Sequence, residues 1–227
     1  MTIIKKNTYP LIGLDFDGVL FDSAYEAYWV AESTALRFEN FKSFDFKSFM
    51  MFRTRINQCR DFVRFYSLDK KNLSDDFLEK YEKNFQAIRA TYMNKMGENY
   101  IKKFFPALDF FKRISHFLTS KPDQFCIIST RDESSIRQTL KLNNINLKGN
   151  IIGRETFIKY NSKSKSLRHL FGNDFKLKLY VDDIYEHCTD MKEVSEQVIQ
   201  ADWGYGELSS SAASYSRVSN LIKEICN

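Results

Sequence analysis

Five short apolar runs constrain this chain most: Leu11–Leu14, Phe125–Ile128, Ile151–Ile152, Leu177–Val181 and Gln197–Ala201. Bounded runs of this length read as strands buried on both faces. Helical patterns separate most of them, at Ser134–Leu142, Ser164–Phe171, Tyr185–Val194 and Tyr215–Ile225. Strands that alternate with helices predict an α/β fold, a Rossmann-like parallel sheet flanked by helices and joined by right-handed crossovers. Ligands on such sheets bind beyond the carboxyl ends of the strands. That rule directs attention to Asp15, Ser129 and Asp182, where three of the runs end.

The stretch from Ser23 to about Lys103 breaks the alternation. It contains one glycine (Gly97), no proline, and apolar residues at helical spacing, such as Phe62, Phe65 and Tyr66, then Phe77, Leu78, Tyr81 and Phe85. It is expected to be an all-helical cap, residues 23–103, inserted between the two parts of the sheet domain, 1–22 and 104–227. Phe104-Phe105-Pro106 should mark the return, with the proline at a helix start. With 21 Phe and 12 Tyr in 227 residues, much of the packing must be aromatic.

Other classes are excluded by composition. No apolar stretch approaches the roughly 20 residues that cross a bilayer. Asn7, Pro10 and Asp15 interrupt the segment after Lys5 and Lys6, so no signal peptide is expected. Cys59, Cys126, Cys188 and Cys226 form no C-x-x-C pair and are expected as thiols in a reducing cytoplasm. The scattered His116, His169 and His187 offer no zinc site. A net charge of +5, spread along the chain, suits the steering of a small anionic molecule. It lacks the basic stripe of a nucleic-acid binder. Neither nucleic acid nor membrane is an expected partner, and the chain is expected as a monomer or weak homodimer.

The stretch LIGLDFDGVLFDS, Leu11 to Ser23, then poses a question of charge. Asp15, Asp17 and Asp22 crowd together directly after an apolar run. A calcium loop of the EF-hand type needs acids at positions one, three and five and glycine at six. Here Gly18 stands at four and Val19 at five, so that explanation fails. Asp22 and Ser23 are suited to a turn and to starting the next helix. Asp15 and Asp17 make sense around a hard cation such as Mg²⁺, which takes carboxylate oxygens and substrate phosphate together. With the negative charge neutralised, Asp15 is placed to attack phosphorus and form an aspartyl-phosphate. Asp17 is placed to protonate the leaving oxygen and later to deprotonate water.

These residues resemble the first motif of the haloacid dehalogenase superfamily, and three further motifs follow in the family's order. Ile127-Ile128-Ser129-Thr130-Arg131 looks like the second, whose strand-end Ser or Thr binds the transferring phosphoryl group. Ser129 leads that assignment, with Thr130 its rival and Arg131 beside them. Lys163 looks like the third motif's lysine, with Lys165 as the alternative. Leu179-Tyr180-Val181-Asp182-Asp183 looks like the acidic fourth motif. Asp182 is the favoured ligand, while Asp183 coordinates directly, binds through water, or caps the next helix. His187 and Cys188 read as helix surface and core. W203-G-Y-G206 resembles a turn of phosphoglycolate-phosphatase-like members, whose helical cap the insertion also resembles. The resemblance implies a Mg²⁺-dependent phosphatase acting on a small phosphorylated metabolite, with Asp15, Asp17, Asp182 and Asp183 around the metal and the backbone carbonyl of Asp17 lent to it. Related phosphomutases carry a histidine where this chain has Ala27, which favours hydrolysis over mutase chemistry. A silent phospho-ligand binder is the non-enzymatic alternative, and intact Asp17 argues against it.

Substrate choice is expected in the cap. Arg53, Arg60 and Arg64, on one continuous helix, would fall within about 40° of each other. Such guanidinium groups form a possible clamp for a remote anionic group of the substrate.

Overall fold

The computed structural model describes residues 10–39, 41–67, 73–147, 151–210 and 212–227. The chain forms two compact units. One comprises Met1–Leu20, Ala107–Gly204 and Leu208–Asn227, and the other Phe21–Pro106 with Tyr205–Glu207.

The first unit is built on a six-stranded sheet. Its strands are β1 (Ile12–Leu14), β2 (Phe125–Ile128), β3 (Ile151–Ile152), β4 (Leu177–Asp182), β5 (Ser195–Ala201) and β6 (Ala212–Ala213), in the order β3-β2-β1-β4-β5-β6. Every pairing is parallel, so the α/β, Rossmann-like sheet expected from the apolar runs is present. Ile12 stands opposite Phe125 on one side and Leu179 on the other, which makes β1 central. All residues of β1 and β2 are buried. A strand covered on both faces has no polar side to display, which is why these runs do not alternate. Cys126, Ile128, Ile152, Leu167, Leu177, Tyr180, Met191 and Val194 form one buried cluster that joins the sheet to the helices Lys163–Phe171 and Tyr185–Met191.

The chain steps outward from β1 to β2 and β3, then returns to β4 on β1's other flank. The carboxyl ends of β1 and β4 are therefore the topological switch point of the sheet. They are fastened together where the Asp15 amide donates to the Val181 carbonyl at 2.9 Å. Gly18 follows with φ of 79°, a left-handed turn that a side chain would strain.

Some elements differ from expectation. β6 was not anticipated, because two alanines in a serine-rich segment carry no strand signal. The helix Arg154–Tyr160 was also unmarked, and Asp109–Ser120 begins three residues after the proline expected to open it. Pro106 does not open a helix. It lies between helices ending at Phe104 and beginning at Asp109. The pairing of Asp22 N with Pro106 O at 2.9 Å, and of Leu108 N with Leu20 O at 3.0 Å, spends that link's backbone groups on partners other than a helix.

The second unit contains the helices Ala24–Ala35, Phe46–Arg53, Phe62–Tyr66, Asp75–Met96 and Glu98–Phe104. Its described residues form no named strand, and Phe41 pairs with Ser67 in an isolated antiparallel bridge. Asp45 and Ser74 start two helices by accepting from the amides of Ser48 at 2.7 Å and Phe77 at 3.3 Å. The core is aromatic, with Phe62 between Phe49 and Phe85 at ring separations of 5.2 and 5.8 Å. Tyr205 groups with this unit although its sequence position belongs with the sheet. Its hydroxyl accepts from the amides of Ser23 (2.7 Å) and Ala24 (3.1 Å) and donates to Asp22 Oδ1 at 2.6 Å. Asp22 also accepts from Ala24 N at 3.0 Å, whereas the Ser23 side chain makes no capping bond.

None of the four cysteines forms a disulfide. No helix of the described residues is long and apolar enough to cross a membrane.

Glu26, fully buried in the second unit, receives Arg89 Nε at 2.7 Å, Arg89 Nη2 at 3.0 Å and the Tyr100 hydroxyl at 2.6 Å. Arg89→Ala leaves that carboxylate buried without its cation. The substitution should destabilise the protein by about 3–5 kcal/mol, read as a lower urea midpoint.

Candidate functional site

Asp15 stands one residue beyond β1, Asp182 ends β4, and Lys163 opens the helix Lys163–Phe171. The Lys163 ammonium donates to Asp15 Oδ1 and to Asp182 Oδ2, both at 2.6 Å. The lysine side chain is 1% exposed, so water does little to screen these bonds. Lys165 is exposed, and its amide donates to Ser162 Oγ at 3.1 Å. Geometry thus brings Lys163, not Lys165, to the two carboxylates.

Burial pushes the Asp15 carboxyl well above the ordinary carboxylate range. Lys163 opposes this, while the charges of Asp182, Asp183 and Asp17 add to it. For Asp182, burial acts in the same direction, but the charges and hydrogen bonds of Lys163 and His187 together outweigh it and hold the carboxyl below its ordinary range. Burial by itself would hold the Lys163 ammonium below its ordinary range. Asp15 and Asp182 more than offset it and hold the ammonium above its ordinary range.

The two oxygens of Asp182 are heavily used. Oδ2 accepts from Lys163 and from the Tyr180 hydroxyl, and Oδ1 accepts from Ile184 N at 2.9 Å. His187 Nδ1 lies 3.5 Å from Oδ1. Two expectations are thereby corrected. Asp182, not Asp183, satisfies the amide before the helix Tyr185–Met191, because its side chain folds back toward its own strand end. His187 faces Asp182 with its side chain 13% exposed, so it is not helix surface. Cys188 is buried, as expected.

Asp183 is buried beside them, and oxygens of Asp15, Asp182 and Asp183 lie within 4.8 Å of one another. Three carboxylates are a hard-oxygen donor set, and their number and spacing fit a divalent cation such as Mg²⁺. Gly204 presses on this group. A Cβ at that position would stand 2.1 Å from Asp183 Cβ and 2.7 Å from its Oδ2, closer than atoms can approach.

Asp17 is held by Arg131, whose Nε donates to Oδ1 at 2.9 Å and to Oδ2 at 3.0 Å. Arg131 is buried and stands two residues after Ser129, whose Oγ accepts from the Arg131 amide at 3.3 Å. The Ser129 amide is anchored to the Ile152 carbonyl at 2.9 Å, which sets the serine at the end of β2. Thr130, between them, is half-buried. Arg131 therefore grips the second aspartate, an arrangement that spacing alone could not reveal.

The cap arginines do not form the face expected of them. The helix Phe46–Arg53 stops at Arg53, Cys59–Asp61 is a single 3-10 turn, and a new helix begins at Phe62. After the break, the Asp61 carboxylate accepts from the amides of Asn57 (3.0 Å) and Gln58 (2.9 Å) and caps the turn. Arg53 Nη1 donates to the Ile56 carbonyl at 3.0 Å, and its guanidinium lies 4.7 Å from the Tyr205 ring centre. Arg60 Nε lies 3.7 Å from Glu82, and Arg64 is exposed.

Sequence reasoning missed Tyr180, taken as one more apolar strand residue, and Asp190, which bonds to both neighbours of Lys163. Serines on either side of a buried lysine were the available signal for an acceptor nearby.

No protein-family profile and no curated protein matches the sequence. Solved structures do match over nearly the whole chain. A crystal structure described as a predicted phosphoglycolate phosphatase from Haemophilus somnus superposes with a TM-score of 0.62, at 15% identity over 96% of this chain and 100% of that one. A haloacid dehalogenase-like family hydrolase from Streptococcus pneumoniae gives 0.65, at 14% identity over 96% and 99%. A hydrolase from Pseudomonas syringae gives 0.60, at 13% identity over 94% and 98%. This chain has the haloacid dehalogenase-like fold.

Gly204→Ala should displace Asp183 and destabilise the protein by about 1–3 kcal/mol, the range for overpacking. Thermal unfolding should show a lower Tm.

Proposed function

We propose that this protein is a Mg²⁺-dependent phosphatase that hydrolyses phosphate monoesters of small metabolites through an aspartyl-phosphate on Asp15. The observation that carries the reading is the ammonium of Lys163 seated between Asp15 and Asp182, with Asp183 adjoining, at the switch point of the sheet. Bound among these carboxylates, Mg²⁺ supplies charge that lets an anionic nucleophile approach an anionic ester.

The residues divide the work. A carboxylate oxygen of Asp15 attacks phosphorus, forming the acyl-phosphate bond as the bond from phosphorus to the ester oxygen breaks. Asp17 delivers a proton to that departing oxygen. It then takes a proton from the water that attacks phosphorus, which releases inorganic phosphate and restores the Asp15 carboxylate. Arg131 orients Asp17 by holding both of its oxygens through one Nε. Ser129, buried at the end of β2, is assigned the phosphoryl oxygens, with Thr130 beside it. Lys163 balances charge on Asp15 before attack and on the phosphoryl group during transfer, where positioning and electrostatics carry the rate. Asp15 and Asp183 are the preferred direct metal ligands. The two oxygens of Asp182 are occupied by Lys163, Tyr180 and Ile184 N, so Asp182 acts as the lysine's anchor. Absence of disulfides supports action in a reducing cytoplasm. The cap arginines lie on no common helix face, so they do not present the clamp that one continuous helix would.

Hydrolysis of an aryl phosphate should require Mg²⁺ and stop on chelation. Asp15→Asn should remove turnover, and Asp17→Asn should lower kcat by about 10²–10⁴-fold, the usual contribution of a general acid–base. Retention of activity by Asp15→Asn would contradict the assignment of the nucleophile.

A further inference from the structure

We infer that Asp190 is a positioning residue for Lys163, fixing the lysine's backbone so that its ammonium reaches both carboxylates. The kinetic consequence rests on the phosphatase reading, but the geometric claim does not.

Lys163 is flanked by Ser162 and Ser164, and both are tied to one carboxylate. Ser162 Oγ donates to Asp190 Oδ1 at 2.8 Å, with Oδ2 at 3.1 Å. Ser164 donates through its amide to Oδ2 at 3.0 Å and through Oγ to Oδ1 at 2.7 Å. Ser162 Oγ also accepts from Lys165 N at 3.1 Å, so the same hydroxyl caps the helix Lys163–Phe171 and connects it to Asp190. A carboxylate here also faces the positive end of that helix's dipole. Burial would raise the Asp190 carboxyl, but the bonds from Ser164 and Ser162 more than offset it and hold the group below its ordinary range. A carboxylate with this many donors is a rigid anchor.

The need for an anchor follows from the lysine itself. Its four-carbon stem rotates freely, and its ammonium is a point charge without the fixed fork of arginine. Two bonds of 2.6 Å from one nitrogen demand a well-placed Cα at the root of the stem. Asp190 lies on the helix Tyr185–Met191, which follows directly from β4 and Asp182. One continuous segment thus grips Lys163 twice, at its ammonium through Asp182 and at its backbone through Asp190.

The test compares Asp190→Ala, Asp190→Asn and Ser164→Ala with the unaltered enzyme. It uses two readouts: kcat and KM for an aryl phosphate, and the Lys163 Nζ distances in crystal structures. Positioning predicts that Asp190→Ala lowers kcat tenfold or more with KM within twofold, with smaller losses in Asp190→Asn and Ser164→Ala. Lys163 Nζ should lose at least one of its two carboxylate bonds in Asp190→Ala. An unchanged kcat, or an Nζ that keeps both bonds, overturns the inference. If Asp190→Ala does not fold, Ser164→Ala, which leaves the carboxylate in place, decides by the same two readouts. If the unaltered protein shows no turnover, the phosphatase reading fails and the Nζ distances alone decide the positioning claim.

Discussion

A single buried ammonium between two buried carboxylates organises the rest of this structure. Carboxylates withdrawn from water repel one another and hold their protons, and burial raises the Asp15 carboxyl accordingly. Lys163 relieves it at Asp15 and Asp182 together. The three residues come from far apart in the chain, so the fold must bring β1, β4 and a helix start to one point. The parallel register does this, since Asp15 N bonds to Val181 O and sets the two strand ends side by side. Removing one partner of such a buried arrangement is far more damaging than replacing the whole by apolar residues.

Around that centre, neighbouring residues have separate tasks. Asp182 accepts from Lys163, Tyr180 and the Ile184 amide, while the adjoining Asp183 packs against Gly204. Asp17 is turned toward Arg131, whereas Asp15 pairs with Lys163. Sequence adjacency therefore conceals a division that only the directions of the side chains reveal.

Much of the sheet was legible because fully buried strands have no polar face to confuse the pattern. Phe125–Ile128 and Ile151–Ile152 were read with their observed ends. β6 was hidden because an edge pairing of two alanines has neither length nor β-branched residues. Lys163 stood out by spacing, but its distinction from Lys165 is a matter of burial, which a sequence does not display. The failure at Arg53, Arg60 and Arg64 was of a different kind. Without a proline or glycine, nothing in the periodicity marked the break, and the capping role of Asp61 is visible only in three dimensions. Arg131 and Asp190 share that limit, since each is meaningful only through a distant partner.

The central claim is that Asp15 carries the phosphoryl group. Rapid acid quenching of the enzyme during turnover of an aryl phosphate, followed by peptide mass spectrometry, locates that group directly. The account predicts a phosphorylated peptide spanning Leu11–Ser23 with the modification on Asp15, absent when Mg²⁺ is chelated. Turnover with that peptide unmodified, or with the phosphoryl group on another residue, would contradict it.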